Sequence, residues 1–143
     1  MDDQTKAGAG KVTKAQRSTT TEAGTSRIDL KIPGRPDYVV VVRLTAAAVA
    51  GRMGLSYDDI EDLKVAVGEA CSAAILTGAP TVSVSFLIAS DRLEVQIAHR
   101  PAKGARSQET ELNRLLMQVL MDEVDTRADA AEQVTRMVKR LVR

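Results

Sequence analysis

One stretch of this 143-residue chain limits its folding more than any other: Ser56 to Thr77, SYDDIEDLKVAVGEACSAAILT. Ser56 is suited to cap a helix, and Asp58 and Asp59 fall where a helix N-terminus favours negative charge. Ile60, Leu63, Val67, Ala70 and Ala74 recur at spacings of three and four, which predicts a helix with one apolar stripe. Gly78 and Pro80 then stop it. Off the stripe stands Glu69, a carboxylate with Val65 and Ala66 one turn behind and Ser72 and Ala73 one turn ahead. Periodicity leaves its role open, because a solvated edge of an amphipathic helix would read the same way.

Such a stripe needs aliphatic partners, since the chain has no Trp, one Phe and two Tyr. The same scarcity argues against a base-stacking platform for single-stranded nucleic acid. Twenty Lys and Arg against 19 Asp and Glu leave a net charge of +1, so no nucleic-acid or membrane surface is built on bulk charge. The single Cys, Cys71, allows no intramolecular disulfide and no metal-ligand spacing; inside the apolar helix it reads as a small buried hydrophobe. Length fits one domain with a real core. No signal-like apolar leader and no membrane-length run is visible, so the expected compartment is the cytoplasm.

Met1 to Ser26 carry almost no large apolar side chain and are expected to form a disordered tail, with the domain running from Arg27 to Arg143. Ile28, Leu30 and Ile32 alternate with Asp29 and Lys31, a half-buried strand closed by Pro33-Gly34. Pro36 to Met53 is predicted helical: Val39 to Val42 favour a strand, but the Ala-rich run beyond is too long for one. Thr81–Ala89 and Arg92–Ala98 alternate as a hairpin about Ser90-Asp91, and a polar stretch covers His99 to Gln108. Helical spacing returns over Glu109–Met121. Asp122 to Arg143 fits either a helix or two strands joined at Ala128–Ala130, and periodicity does not choose.

The segments Ile28-Asp29-Leu30-Lys31-Ile32-Pro33, Pro36-Asp37-Tyr38-Val39, and Arg43 through Glu69-Ala70-Cys71 resemble the bacterial anti-sigma-factor serine kinases of the RsbW type. The likeness resumes at Asp91-Arg92-Leu93-Glu94-Val95, at Leu116 through Val124, and at Arg136-Met137-Val138-Lys139-Arg140-Leu141. It implies an α+β two-layer sandwich of the histidine-kinase-like ATPase (GHKL) type, a mixed sheet with helices on one face. It also implies that the terminal stretch is two strands.

In that family a glutamate acts as general base, and an asparagine one turn later holds Mg²⁺. Glu69 matches the glutamate; the asparagine position is Ala73, which has no oxygen to offer. The adenine-reading aspartate and its following glycine correspond to His99 and Pro101, and His99 is expected to be an ordinary surface or edge residue. Only Lys103 to Gln108 is available for the phosphate lid. The glycine-rich turn that cradles phosphates holds Thr110, Glu111 and Asn113, and a carboxylate at Glu111 repels the anion it should receive.

What the resemblance implies is therefore a binding protein. The expectation is an anti-sigma factor or partner-switching regulator with no cofactor, Glu69 a vestigial base, and no bound metal. Its partners would be a sigma factor, a STAS-type anti-anti-sigma factor and a second copy of itself. Arg43 matches a first-helix arginine that contacts those partners in the family; a solvated helix-face charge is the alternative. The rival is an active ATP-Mg²⁺-dependent serine kinase acting on the anti-anti-sigma factor.

Overall fold

Alternation in the hairpin defines the core face of a sheet. Val82, Val84 and Phe86 on one strand and Leu93, Val95 and Ile97 on the next are all buried, and the register sets Phe86 opposite Val95 and Val84 opposite Ile97. The computed structural model describes residues 25–104 and 111–142. In order the elements are β1 (Ser26–Pro33), a 3-10 turn (Pro36–Tyr38), α1 (Val39–Met53), α2 (Tyr57–Leu76), β2 (Thr81–Ile88), β3 (Arg92–His99), α3 (Glu111–Leu120), β4 (Glu123–Asp129) and β5 (Glu132–Arg140). Strand order is β1-β2-β3-β5-β4, and α2 packs over β2, β3 and β5 to give the expected two-layer α+β sandwich.

The sheet is antiparallel throughout, which corrects the expectation of a mixed one. Two helices join β1 to β2, and an even number of helical passes returns the chain to the end it left. The single helix α3 makes β3 and β4 run in the same direction, but β5 inserts between them, so they never pair. Two strands, not a helix, form the terminal stretch, as the resemblance implied. Their turn is Ala130-Ala131 rather than Ala128–Ala130: Ala128 pairs with Gln133 and Asp129 with Glu132. Ala130 takes φ +59° to close it, a conformation that alanine sequence patterns do not advertise.

The central helix forms as read. Ser56 Oγ accepts from the Asp59 amide at 3.1 Å, a cap worth about 1 kcal/mol. Leu63, Val67, Ala70, Cys71 and Ala74 are buried on its inner face, and burial pushes the Cys71 thiol up to about 12, leaving it an inert core residue. Gly54 and Gly78, at φ +88° and +81°, close the ends of α1 and α2. Lys139 crosses under the helices: its Nζ donates to the Leu120 carbonyl at the end of α3 (2.6 Å) and lies 3.5 Å from Asp59 and 3.8 Å from Asp62 on α2. A buried cation with these partners ties β5 to both helices.

Two further placements differ from the sequence reading, those of Ser26 and His99. Ser26, assigned to the tail, opens β1; the rest of that tail, to residue 24, lies outside the described residues. Helix α3 is described from Glu111, residues 105–110 being outside. His99 is the last residue of β3 and only 9 % exposed, not a surface residue, because its strand position turns it to the helix-covered face opposite Val82. Val40 is exposed, while Val39, Val42, Ala46, Val49 and Ala50 carry the buried face of α1.

Candidate functional site

Three elements converge where the family-like boxes fall. Helix α2 supplies Glu69 and Ala73, the end of β3 supplies His99, and the first turn of α3 supplies Asn113. The α2 stripe turns Ala70 and Ala74 to the core, which leaves Glu69 and Ala73 on the flank that α3 covers. Across that flank Asn113 Nδ2 donates to Glu69 Oε1 at 2.9 Å, a charge-assisted bond that holds α3 against α2. Met117, one turn further along α3, is 2 % exposed.

Between these groups lies a cavity of about 30 Å³, bordered by Ala73, Thr77, His99, Asn113, Met117 and Thr135. Thr77 Oγ1 turns away, donating to the Ala74 carbonyl at 2.6 Å. Neither ring nitrogen of His99 has a hydrogen-bond partner among the described residues. Burial lowers its pKa below the ordinary 6.5, with Glu132 pulling weakly the other way, so the ring is neutral at pH 7. The chain just after β3 seals the far end: the Ala102 amide donates to the Thr77 carbonyl at 3.0 Å, with Pro101 half-buried beside it. Glu111 is exposed in the first turn of α3, where its charge favours that helix. Thr110 and the lid stretch from residue 105 lie outside the described residues. Among the described residues no His, Cys, Asp or Glu cluster is arranged to hold a metal ion.

Arg43 belongs to a different place. It is exposed on α1, and its side-chain stem lies across α2 at Gly68, where an added Cβ would meet Arg43 Cδ at 3.1 Å. Gly68 therefore positions Arg43. With Glu61, Lys64, Glu69 and Ser72 it borders an open recess of about 260 Å³. Glu69 thus borders the Arg43 recess and reaches the smaller cavity only through its bond with Asn113. Met117 and Thr135 were not singled out from sequence. Thr135 sits on a strand whose existence periodicity left open, and Met117 read only as one more apolar helix residue.

A third feature is larger than either. An apolar groove of about 670 Å³ runs between β1 and α1, bordered by Ile28, Leu44, Ala48, Val49, Met53 and Ile88. Ile28, Val40, Val41 and Leu44 around it are exposed, and β1 is an edge strand.

Residues 32–139, from the end of β1 through α2 and the cavity into β5, match the family described as Histidine kinase-like ATPase domain, which sets the class of the protein. The serine-protein kinase RsbW of Bacillus pumilus is 38% identical over 132 residues, covering 75% of this chain and 82% of the relative. That of Bacillus licheniformis is 40% identical over 133 residues, covering 76% and 82%. The chain belongs to the RsbW family of histidine kinase-like ATPase domains. Its fold also resembles the crystal structure of the RsbU and RsbW domains of a Mycobacterium tuberculosis protein, with a TM-score of 0.67 at 16% identity over 82% of this chain. This chain spans 33% of that longer one, and the likeness concerns the fold alone. No helix among the described residues is long and apolar enough to cross a membrane.

Proposed function

We propose that this chain is a partner-switching regulator that sequesters a sigma factor by protein–protein binding, without phosphoryl transfer. The observation that carries the reading is the bond from Asn113 to Glu69, beside a cavity of only about 30 Å³ that Asn113, Ala73 and His99 line. Small-molecule sites usually offer about 300 Å³ or more. In the family's chemistry the glutamate must face a nucleotide; here it is engaged by a side chain of the helix that should cradle phosphates. Ala73 brings no oxygen for Mg²⁺ and Glu111 places negative charge at the phosphate end, so the residues present do not fit ATP-Mg²⁺. Titration with ATP and Mg²⁺ at millimolar concentration is expected to give no binding heat. A sub-millimolar isotherm would overturn the reading.

Retention of Glu69 and the kinase names of the relatives favour a second reading, a serine kinase acting on an anti-anti-sigma factor. In it, ATP would have to displace Asn113 from Glu69. A positive titration is its first requirement.

Partner binding is assigned to α1, with Arg43 as the anchor, and self-association to β1 and the outer side of α1. Exposed Val40, Val41 and Leu44 beside the apolar groove support a homodimer, since a face of this kind gains from being covered. Sedimentation at micromolar concentration is expected to give a dimer that Leu44→Glu converts to monomer. A monomeric parent chain would refute it.

A further inference from the structure

His99 is the only histidine of the chain, and it closes β3 inside the cavity between the sheet and the helix pair. Both of its nitrogens lie buried with no hydrogen-bond partner among the described residues. A neutral ring in that position loses part of its hydrogen bonding; an imidazolium would in addition be a buried charge that, among the described residues, only Glu132 opposes. The groups around it give no relief. Helix α2 faces it with alanines and Thr77, α3 with Asn113 and Met117, β4 with Thr126, and β5 with Gln133 and Thr135, and none of these ionises. Glu132 on β5 acts on it only as the weaker, opposing influence. Glu69, the acidic residue on the facing side of α2, is already engaged by Asn113.

We propose that His99 is a proton-operated catch on the α2–α3 closure: the neutral ring lets α3 seat on α2, and protonation drives the ring outward and unseats Met117. The idea is independent of whether the chain binds a sigma factor. Its direction follows from linkage. The ring is harder to protonate in the closed fold than in water, so an opened form takes up the proton first. The closure is at full strength above the ordinary histidine value of 6.5 and weakens as pH falls through that value toward the lower one of the closed state. Above that window the catch is set.

The test uses the full, untagged chain, in which one imidazole gives one unambiguous signal. NMR of the ring proton and of the methionine methyls is followed from about pH 8 to about pH 5. The expected midpoint for the ring lies below 6.5, and the Met117 methyl shifts with that same midpoint while Met53, on α1, does not follow it. In His99→Gln the Met117 shift is lost. Should the Gln variant fold poorly, His99→Phe, which keeps a buried ring without a titrating nitrogen, must give the same loss. A ring midpoint at or above 6.5 overturns the proposal, as does a Met117 methyl that ignores the ring's titration or that still shifts in the variant that folds.

Discussion

On the proposed function, Arg43→Glu is expected to lower affinity for a sigma factor by about a hundredfold or more, with the fold and any self-association unchanged. Arg43 is exposed, so reversing it disturbs little of the core, and its stem rests on Gly68 rather than in a packed pocket. The guanidinium offers five fixed donors to a partner carboxylate, and a reversed charge in that partly dry contact costs a few kcal/mol. A pull-down with purified sigma factor reads the loss directly. The contrast is Glu69→Ala, which frees Asn113 but leaves the Arg43 guanidinium in place and should leave the affinity within a few-fold. Normal binding by Arg43→Glu would move the partner surface elsewhere.

Gly34→Ala is expected to destabilise the fold by about 3 kcal/mol, near the upper end for overpacking, and to lower Tm by about 10 °C. The Gly34 amide donates to the Pro80 carbonyl at 2.9 Å, which brings the turn after β1 hard against the loop before β2. An added methyl would lie 1.8 Å from the Ala79 carbonyl oxygen and 3.2 Å from the Pro80 carbonyl carbon. These are backbone atoms and cannot rotate away. The same change at Gly51 has the opposite sign: a methyl there meets nothing within 4 Å, and alanine is favoured over glycine in a helix by about 1 kcal/mol. Thermal melts of the two variants, one down and one up, check both halves. If Gly34→Ala melts with the parent chain, the packing of that turn has been misjudged.

Local patterns made much of this architecture legible. The stripe from Ile60 to Ala74 and the alternation from Val82 to Ile97 each express one period, and a period survives whatever lies far away in the chain. What escaped was set by distant residues. Nothing near Glu123 says that β5 will come between β3 and β4, since that depends on which edge is free when the strands meet. His99 opens the polar stretch by sequence, but β3 runs one residue past Ala98, and the inward alternation of Leu93, Val95 and Ile97 carries on to it, opposite Val82. The site divides the same way. Ala73, His99 and Asn113 line one cavity, where the family spacing indexed them, yet the bond that ties Glu69 to Asn113 joins residues with no local relation in sequence. Ala130 at positive φ was illegible because alanine carries no turn signal.

The interior position of β5 has a consequence for how the molecule is made. A ribosome delivers β3 and β4 before β5, and the two are joined only through β5, which sets Arg140 opposite Arg92 and Val138 opposite Glu123. Until then one edge of β3 and both edges of β4 are unpaired. Pairings of such long range form late and slowly. The sheet therefore closes only when this interior strand, the last of the five in the chain, is in place.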